Sequence, residues 1–219
     1  MFKLELRNQT EGQAAARSRL YGLFMDGFQF PTPELYEKIK TGRFGQEITD
    51  QLQGLPYKLK AEVSWGKDLT ISLADFQGKY MELFELGGPT GVPIFLYEGQ
   101  YSGSVTKAME EVLAFYHYFG LCRSPNWRER PDHIAVEFQF MHYLTYKETE
   151  AAAKGSNMLP YVKAQEDFLR LHLLDFVSAV AERHGSTEVP FYSDLVLCAG
   201  GFCQKEMACV MGLAKEERR

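Results

Sequence analysis

The sequence lacks an excess of basic residues. Its 219 residues include 24 Lys and Arg against 29 Asp and Glu, which gives a formal net charge of −5 at pH 7. A nucleic-acid-binding protein usually carries a basic patch or stripe that neutralises phosphates. We therefore expect no nucleic-acid partner, because an acidic surface favours a basic partner instead.

The sequence also lacks a long apolar run. The longest such run near the C-terminus, residues 195–203, stops at Gln204, well short of the roughly 20 residues that a membrane-spanning helix needs. Residues 1–11 mix charged and polar side chains and lack the apolar stretch of a secretory signal. These absences predict a cytoplasmic protein without stable membrane insertion.

Cysteine is scarce and shows no metal-binding spacing. The four cysteines are Cys122, Cys198, Cys203 and Cys209, and no two of them form the Cys-x-x-Cys pair that brings two thiolates onto one ion. Steps of five and six residues place the last three on different faces of a helix, because each residue turns a helix by about 100°. We expect buried, structural thiols and no cofactor; a metal or redox role is the alternative.

Established catalytic motifs are missing as well. The sequence contains no Gly-x-x-x-x-Gly-Lys phosphate loop, no His-Glu-x-x-His zinc motif and no Glu-x-x-His pair of the kind that holds a di-metal centre. Ser104 and Lys107 match Ser-x-x-Lys, but the motifs that accompany it in hydrolases are absent. These absences favour a binding protein over an enzyme and predict no metal site.

Two histidines lie where a chemical role has to be weighed against a structural one. His133 and Glu137 are one helical turn apart and follow Asp132, so the three could form an acid–base group. The simpler interpretation, which we favour, is that Asp132 caps a helix and His133 forms a hydrogen bond across a subdomain boundary. His172 lies on an apolar stripe, which predicts a hydrogen-bonded core histidine.

Helical periodicity dominates the chain. Leu20, Leu23, Phe24 and Phe28, for example, recur at the spacing of one helical face. Residues that cap helix N-termini predict helix starts at Thr10, Thr32, Ser72, Ser104, Asp132 and Ser193. Glycine predicts helix ends at Gly42, Gly54, Gly120 and Gly185. No stretch alternates polar and apolar residues for long, so we predict an all-α fold of eight or nine helices, one of them running from about 160 to 184.

Two segments interrupt the helical pattern. Residues 87–103 are rich in glycine and proline, which predicts a long loop. We expect this loop to pack down its four successive large side chains, Ile94, Phe95, Leu96 and Tyr97. Residues 121–131 form a polar connector typical of a domain boundary. The predicted architecture is a helical-bundle-like fold of two subdomains, with an N-terminal part over 1–120, a hinge over 121–131 and a C-terminal part over 132–219.

Several segments, in their order and spacing, resemble one family. Residues 80–84 read Tyr-x-x-Leu-Phe, residues 93–98 read Pro-x-x-x-Tyr-Glu, residues 131–141 open with Pro-Asp-His, and residues 165–173 read Gln-x-x-Phe-x-x-x-His-Leu. Together they resemble the TorD/DmsD/NarJ family of molybdoenzyme maturation chaperones. The branch they resemble most is the one that serves type II dimethyl sulfoxide reductase-like enzymes.

This resemblance implies a function. Such chaperones are cytoplasmic and bind the twin-arginine signal peptide, or the body, of the catalytic subunit of a molybdopterin oxidoreductase until its cofactor is inserted and export can follow. The resemblance also implies two helical subdomains joined by a hinge, and either a monomer or a subdomain-swapped dimer. The alternatives are a weak guanine-nucleotide-binding enzyme and a structural subunit retained in the oxidoreductase.

The resemblance also suggests where a signal peptide would bind. An apolar floor is expected from Tyr80, Leu83, Phe84, Tyr97 and Tyr101. An acidic rim is expected from Glu98, Asp132 and Glu137, with His133 orienting the hinge. Plain core packing is the alternative for Tyr80 and Phe84. Family members often carry an acidic residue near the Pro-Asp-His element, which Arg128 and Arg130 flank here, so a less acidic rim is predicted at that point.

Overall fold

The structure, a computed structural model, describes residues 9–59, 65, 69–89, 91–122, 129–183, 185 and 187–216. These residues form nine α-helices, a 3-10 turn at Glu98–Gln100 and a π-helical turn at Leu169–Leu173. The helices are α1 (Gln9–Gly27), α2 (Pro33–Lys40), α3 (Arg43–Gln53), α4 (Leu73–Phe84), α5 (Val105–Tyr118), α6 (Ile134–Ala153), α7 (Leu159–Phe168), α8 (Leu174–Ala181) and α9 (Pro190–Glu216). Within the described ranges β-structure is limited to two isolated bridges, so the all-α prediction is confirmed.

Capping side chains set three of the helix starts. The Thr32 hydroxyl accepts a hydrogen bond from Leu35 N (3.2 Å), and the Ser72 hydroxyl accepts one from Asp75 N (3.2 Å). Ser104 caps α5 in the same way. Each hydroxyl satisfies an amide of the first turn that has no partner within the helix. These three predictions are confirmed.

The predicted helix starts at Asp132 and Ser193 are wrong. His133 is the residue that caps α6, because the Asp132 carboxylate is held by other partners. α9 already begins at Pro190, a residue type that suits the first helical position, so Ser193 lies inside the helix. The predicted cap at Thr10 concerns a side chain outside the described residues.

The long helix predicted near 160–184 is one continuous rod that changes pitch midway. α7 passes through the π-helical turn into α8, which ends at Ala181. A π turn is rare, and it occurs frequently at functional sites. His172, predicted as a core histidine, lies in this turn and is buried.

One continuous core joins the two halves of the chain. α1 lies along α6 and also contacts α9. Phe24, Phe138 and Phe202 come from these three helices, and the Phe24 ring lies 5.4 Å from each of the other two ring centroids. Burying such rings supplies much of the stability of a core. The division into subdomains at 121–131 stays a prediction.

Two of the four large side chains of the loop at 87–103 pack down as predicted, whereas Phe95 and Tyr97 are half-buried. Ile94 and Leu96 are fully buried. Ile94 N donates to Leu83 O (3.2 Å), and Leu96 O accepts from Ile134 N (2.8 Å). Tyr97 forms an isolated antiparallel bridge with His133. The loop is therefore tied to the end of α4 on one side and to the start of α6 on the other.

α9 is the most apolar long helix that the structure describes. Residues Pro190–Lys215 are long and apolar enough, by length and composition, to cross a membrane, and half of the apolar window is buried inside the protein. The core helix of a soluble protein satisfies the same criterion, and one such helix is weak evidence for a membrane span.

Candidate functional site

The loop and the start of α6 meet at the Asp132 carboxylate, which is fully buried. Its Oδ2 accepts a hydrogen bond from Gly99 N (3.1 Å). The Arg130 guanidinium donates to both carboxylate oxygens, at 2.9 and 2.6 Å. The sequence predicts Asp132 on an exposed acidic rim, and this prediction is wrong. The carboxylate is buried and holds the loop and the start of α6 together.

His133 is buried next to Asp132 in a defined protonation state. Its Nδ1 accepts a hydrogen bond from Ala135 N (3.1 Å), so the proton of the neutral ring lies on Nε2. Burial lowers the His133 pKa to about 4, which keeps the ring neutral at pH 7. Nε2 has no hydrogen-bond partner among the described residues, and the nearest carboxylate oxygen, Glu129 Oε2, is 3.9 Å away.

Tyr97 covers the junction and is partly exposed. The Arg130 guanidinium lies over its ring, 4.4 Å from the centroid, and the His133 ring meets it edge-on at 5.0 Å. The Tyr97 hydroxyl donates to Glu129 Oε2 (2.9 Å). Burial and the Glu129 carboxylate raise the Tyr97 pKa, so the phenol stays a hydrogen-bond donor.

One carboxylate that was not predicted, Glu129, lies at the junction and accepts a hydrogen bond from the Tyr97 hydroxyl. Glu85 is exposed and follows the last residue of α4. Burial, followed by the charge of Glu129, raises the Glu85 pKa. The Arg130 guanidinium binds Asp132 and lies over the Tyr97 ring, and Arg128 lies outside the described residues, so the predicted weakening of the acidic rim stays a prediction.

Three residues expected in the floor of a groove are core residues in this structure. Tyr80, Leu83 and Phe84 are 3%, 5% and 2% exposed. The Tyr80 and Phe84 rings pack 4.9 Å apart and both contact Tyr192. The Tyr80 hydroxyl donates to Phe28 O (3.0 Å). These three side chains lie beneath the loop. The more accessible aromatic rings in this region are those of Tyr97 and Phe30; Phe30 is 47% exposed and its ring contacts that of Tyr80.

Tyr101 stays on the loop side of the junction. Its hydroxyl donates to Phe95 O (3.0 Å) and accepts from Phe95 N (3.1 Å). Its ring packs 5.5 Å from Phe176 and carries the Arg183 guanidinium at 4.9 Å. Tyr101 therefore fixes the path of the loop and keeps a partly exposed ring.

Glu98, Glu137 and His172 form a buried group behind the junction. His172 Nδ1 lies 3.1 Å from Glu98 Oε1. The Glu137 carboxyl is fully buried and finds no hydrogen-bond partner among the described residues. Burial, followed by the charges of Glu98 and Asp132, raises the Glu137 pKa, because a second negative charge there is costly. Glu98 and Glu137 are thus buried rather than exposed on a rim, and the predicted core role of His172 is confirmed with Glu98 as its partner.

A second buried polar cluster lies deeper in the fold and was not predicted. Arg17 is 1% exposed and donates to Glu148 (3.0 Å), Glu206 (2.9 Å) and Gln165 (2.6 Å). The Tyr57 hydroxyl also donates to Glu206 (2.6 Å). Arg17 lies three residues before Leu20 on the apolar face of α1, which is the sequence signal for its burial. This cluster joins α1, α6, α7 and α9.

The cysteines are free thiols in this structure. Cys198 and Cys203 are buried, and burial raises the pKa of Cys198 to about 12. A thiol with such a pKa is neither a good nucleophile nor a ready metal ligand. Within the described residues there is no group of three or more His, Cys, Asp or Glu side chains that could hold a metal ion.

The fold and the junction together define an all-helical protein whose polar groups brace a partly exposed acidic and aromatic surface. A solved structure from Archaeoglobus fulgidus, provisionally assigned as a redox enzyme maturation protein, has the same fold, with a TM-score of 0.55 and 19% sequence identity. The superposition covers 93% of this chain and 99% of the other. The helical fold that the resemblance implies is therefore confirmed.

The chain belongs to the nitrate reductase delta subunit family, the family of the TorD- and NarJ-type chaperones. The family profile matches residues 45–182. A perchlorate reductase assembly chaperone from Dechloromonas aromatica is 31% identical over 198 residues, which is 87% of this chain and 88% of that protein. A dimethyl sulfide dehydrogenase assembly chaperone from Rhodovulum sulfidophilum is 26% identical over 205 residues, 85% and 78% of the two chains.

Proposed function

We propose that this protein is a cytoplasmic chaperone that binds the catalytic subunit of a molybdopterin oxidoreductase and assists cofactor insertion before export. The observation that carries this conclusion is the similarity, along nearly the whole chain, to a relative that is itself an assembly chaperone. The named relatives assemble a perchlorate reductase and a dimethyl sulfide dehydrogenase, which supports a client of the type II dimethyl sulfoxide reductase-like branch.

The part of the client that we propose to be bound first is its twin-arginine signal peptide. Such a peptide offers two guanidinium groups followed by an apolar stretch. The Tyr97 ring is partly exposed and its hydroxyl donates to the Glu129 carboxylate, so this surface offers an aromatic and an acidic group to such a peptide. Opposite charge steers the two together, and exposed aromatic groups anchor peptides well.

The buried members of the site act by holding this surface in place. Asp132 fixes both the 3-10 turn and Arg130, and His133 caps α6 directly beneath Tyr97. Glu98 ties the same turn to His172. A chaperone of this kind works by binding and release, and both a monomer and a subdomain-swapped dimer can present the junction.

Binding to the client tests this function. The full-length protein is mixed with the catalytic subunit of a type II oxidoreductase, prepared without its cofactor, and complex formation is followed by size-exclusion chromatography with light scattering. We expect a stable complex with the cofactor-free subunit and weaker binding to the cofactor-loaded one. Light scattering also gives the number of chaperone chains in the complex.

The matched control is the same subunit without its signal peptide. If the peptide is the principal contact, its removal weakens the complex strongly, whereas a chaperone that holds the body of the subunit keeps its affinity. Failure of wild-type protein to bind the subunit in any form would contradict the proposed function.

A further inference from the structure

We propose that the groove between α5 and α7 is an interface for a second copy of this chain, and that two copies pack across it as an antiparallel two-fold dimer without exchanging subdomains. The inference goes beyond the proposed function, because it concerns how the protein associates with itself. Its walls are formed by six residues, Ala114, Phe115 and Tyr118 from α5 and Lys163, Ala164 and Asp167 from α7.

The first argument is the shape and lining of the groove. Phe115 contacts Phe168 at the end of α7 (ring centroids 5.2 Å), and Phe119, just after α5, contacts Tyr161 near the start of α7 (6.0 Å). The two helices therefore run antiparallel, and they leave an open groove of about 390 Å³ between them. Small-molecule sites contain polar groups that converge on a ligand. The walls of this groove are mostly apolar, which favours a polypeptide as the occupant.

The second argument is the pair of exposed apolar side chains at the two ends of the groove. Tyr118 is 82% exposed at the end of α5, and Leu171 is 53% exposed at the opposite end, about one turn beyond Asp167. An antiparallel two-fold pairing places each Tyr118 on the Leu171 of the other copy. The contact then occurs twice, as in every interface of this symmetry, and removes four large apolar side chains from water.

The third argument is the distribution of charge along the groove. Glu110 lies on the same stripe of α5 as Tyr118, eight residues earlier, and Lys163 lies on α7. Both are exposed, and neither forms an ion pair or a hydrogen bond within the described part of the chain. Neighbouring charges are already paired, since Arg170 lies 2.7 Å from Asp167 and Lys107 lies 3.7 Å from Glu111. The groove thus carries one free acid and one free base, toward opposite ends.

These two observations require the same orientation. A parallel pairing would bring Lys163 onto Lys163 and Glu110 onto Glu110, and like charges across an interface are unfavourable. The antiparallel pairing brings each Lys163 toward the Glu110 of the other copy, while it brings Tyr118 to Leu171. Because the two ends of one surface complement each other in both charge and apolarity, a second copy is the occupant that the surface fits.

This dimer differs from a subdomain-swapped dimer in its stability and exchange. A swapped dimer separates only when its exchanged subdomains leave their cores. The groove dimer joins two folded chains through a small surface, and small interfaces are weak and transient. We therefore expect a monomer–dimer equilibrium that responds rapidly to dilution.

The experiment is sedimentation velocity of the full-length protein over a series of concentrations, without any client. We expect wild type to dimerise reversibly as its concentration rises. Tyr118→Ala should raise the dimer dissociation constant about a hundredfold, since the ring is lost twice and a buried interface aromatic accounts for about tenfold. The matched control is Leu86→Ala, an exposed apolar side chain after α4, which should dimerise as wild type does.

Charge reversal tests the antiparallel arrangement. Lys163→Glu and Glu110→Lys should each weaken the dimer, because each variant places like charges together twice. When the two single variants are mixed in equal amounts, both contacts between them join opposite charges, so a heterodimer should form. Lys205→Glu, an exposed position on α9, makes the same reversal outside the groove and should have no effect. Circular dichroism confirms that all variants fold.

Each result supports or overturns the inference. A wild-type protein that stays monomeric at every soluble concentration overturns it, as does a dimer that survives dilution and ignores Tyr118→Ala. Single variants that fail to associate when mixed rule out the antiparallel contact. If Tyr118→Ala weakens binding of the client subunit while wild type alone is monomeric, the groove belongs to the client instead. The proposed function is tested by client binding and stands or falls separately.

Discussion

His172 Nδ1 lies 3.1 Å from Glu98 Oε1, and this contact joins the π-helical turn of the α7–α8 rod to the 3-10 turn of the long loop. Both side chains are almost fully buried. The pair is a direct polar link between the π-helical turn and the loop that presents Tyr97. Its loss should therefore be felt in the stability of the fold and in the position of the loop.

Replacing His172 with leucine tests the energy of this link. The change leaves the Glu98 carboxylate buried without its partner, so we expect the free energy of unfolding to fall by about 3 kcal/mol. His172→Gln keeps a donor and should lose less. Urea denaturation of both variants gives the two values. Leu171→Ala, an exposed position in the same turn, is the control and should lose less than either; equal losses at the two positions would contradict the role of the pair.

Arg17 offers a second stability test. Arg17→Met removes the cation between Glu148 and Glu206 and leaves two buried carboxylates, which should destabilise the protein by about 3–5 kcal/mol. The triple variant Arg17→Met, Glu148→Gln, Glu206→Gln removes the uncompensated charges and should recover part of the loss. Thermal and urea unfolding measure both. Arg19→Met, at an exposed position of α1, should be close to neutral, and a triple variant no more stable than the single one would show that charge is not the cause.

His133 makes the protein sensitive to acid. Its pKa is about 4 in the folded protein against 6.5 for an ordinary histidine. Between these values the unfolded chain binds a proton that the folded protein does not, so stability falls as the pH is lowered through this window. The residue accounts for up to about 3 kcal/mol of that loss, at about 1.4 kcal/mol per pKa unit.

His133→Asn isolates this effect. Asparagine keeps a side-chain acceptor at the start of α6 but does not titrate, so the variant should lose less stability than wild type between about pH 6.5 and 4. Urea unfolding at a series of pH values provides the measurement. His117→Asn, at an exposed position of α5, serves as control and should follow wild type. The hypothesis fails if the His133 variant also follows wild type.

Glu137 has the opposite dependence on pH. Burial raises its pKa above the ordinary 4.5, so the folded protein retains a proton that the unfolded chain releases, and stability falls as the pH rises above that value. Glu137→Gln stays neutral at every pH. The variant should be more stable than wild type at pH 7, and the difference should close below about pH 4.5.

Glu150 provides the matched control for Glu137 on the same helix. It is partly exposed, and hydrogen bonds from Lys147 and Lys154 lower its pKa to about 2. Its charge is therefore favourable in the folded state, and Glu150→Gln should reduce stability slightly at pH 7 rather than raise it. Changes of the same sign in the two variants would rule out burial as the cause of the Glu137 effect.

Local chemistry made part of this fold predictable from the sequence. Thr32, Ser72 and Ser104 cap their helices because the partner amide lies only three residues away. Asp132 has the same local option but does not use it, since Gly99 and Arg130 claim its carboxylate. The contact between Asp132 and Gly99 joins residues far apart in the chain. It depends on how the loop packs, which no local sequence pattern predicts.

The same reason explains which parts of the site were missed. Glu98, Asp132 and Glu137 have the composition of an acidic rim, and periodicity alone does not show that all three turn inward. Glu129 stands between two basic residues in the sequence, so composition does not single it out as part of an acidic surface. In the structure its carboxylate accepts a hydrogen bond from the Tyr97 hydroxyl.

One carboxylate anchors two separate pieces of the chain. Asp132 accepts from the Gly99 amide and from Arg130 at the same time, and Arg130 is the covalent neighbour of Glu129. Glu129 and the turn at Gly99 are therefore connected through two residues only, Arg130 and Asp132.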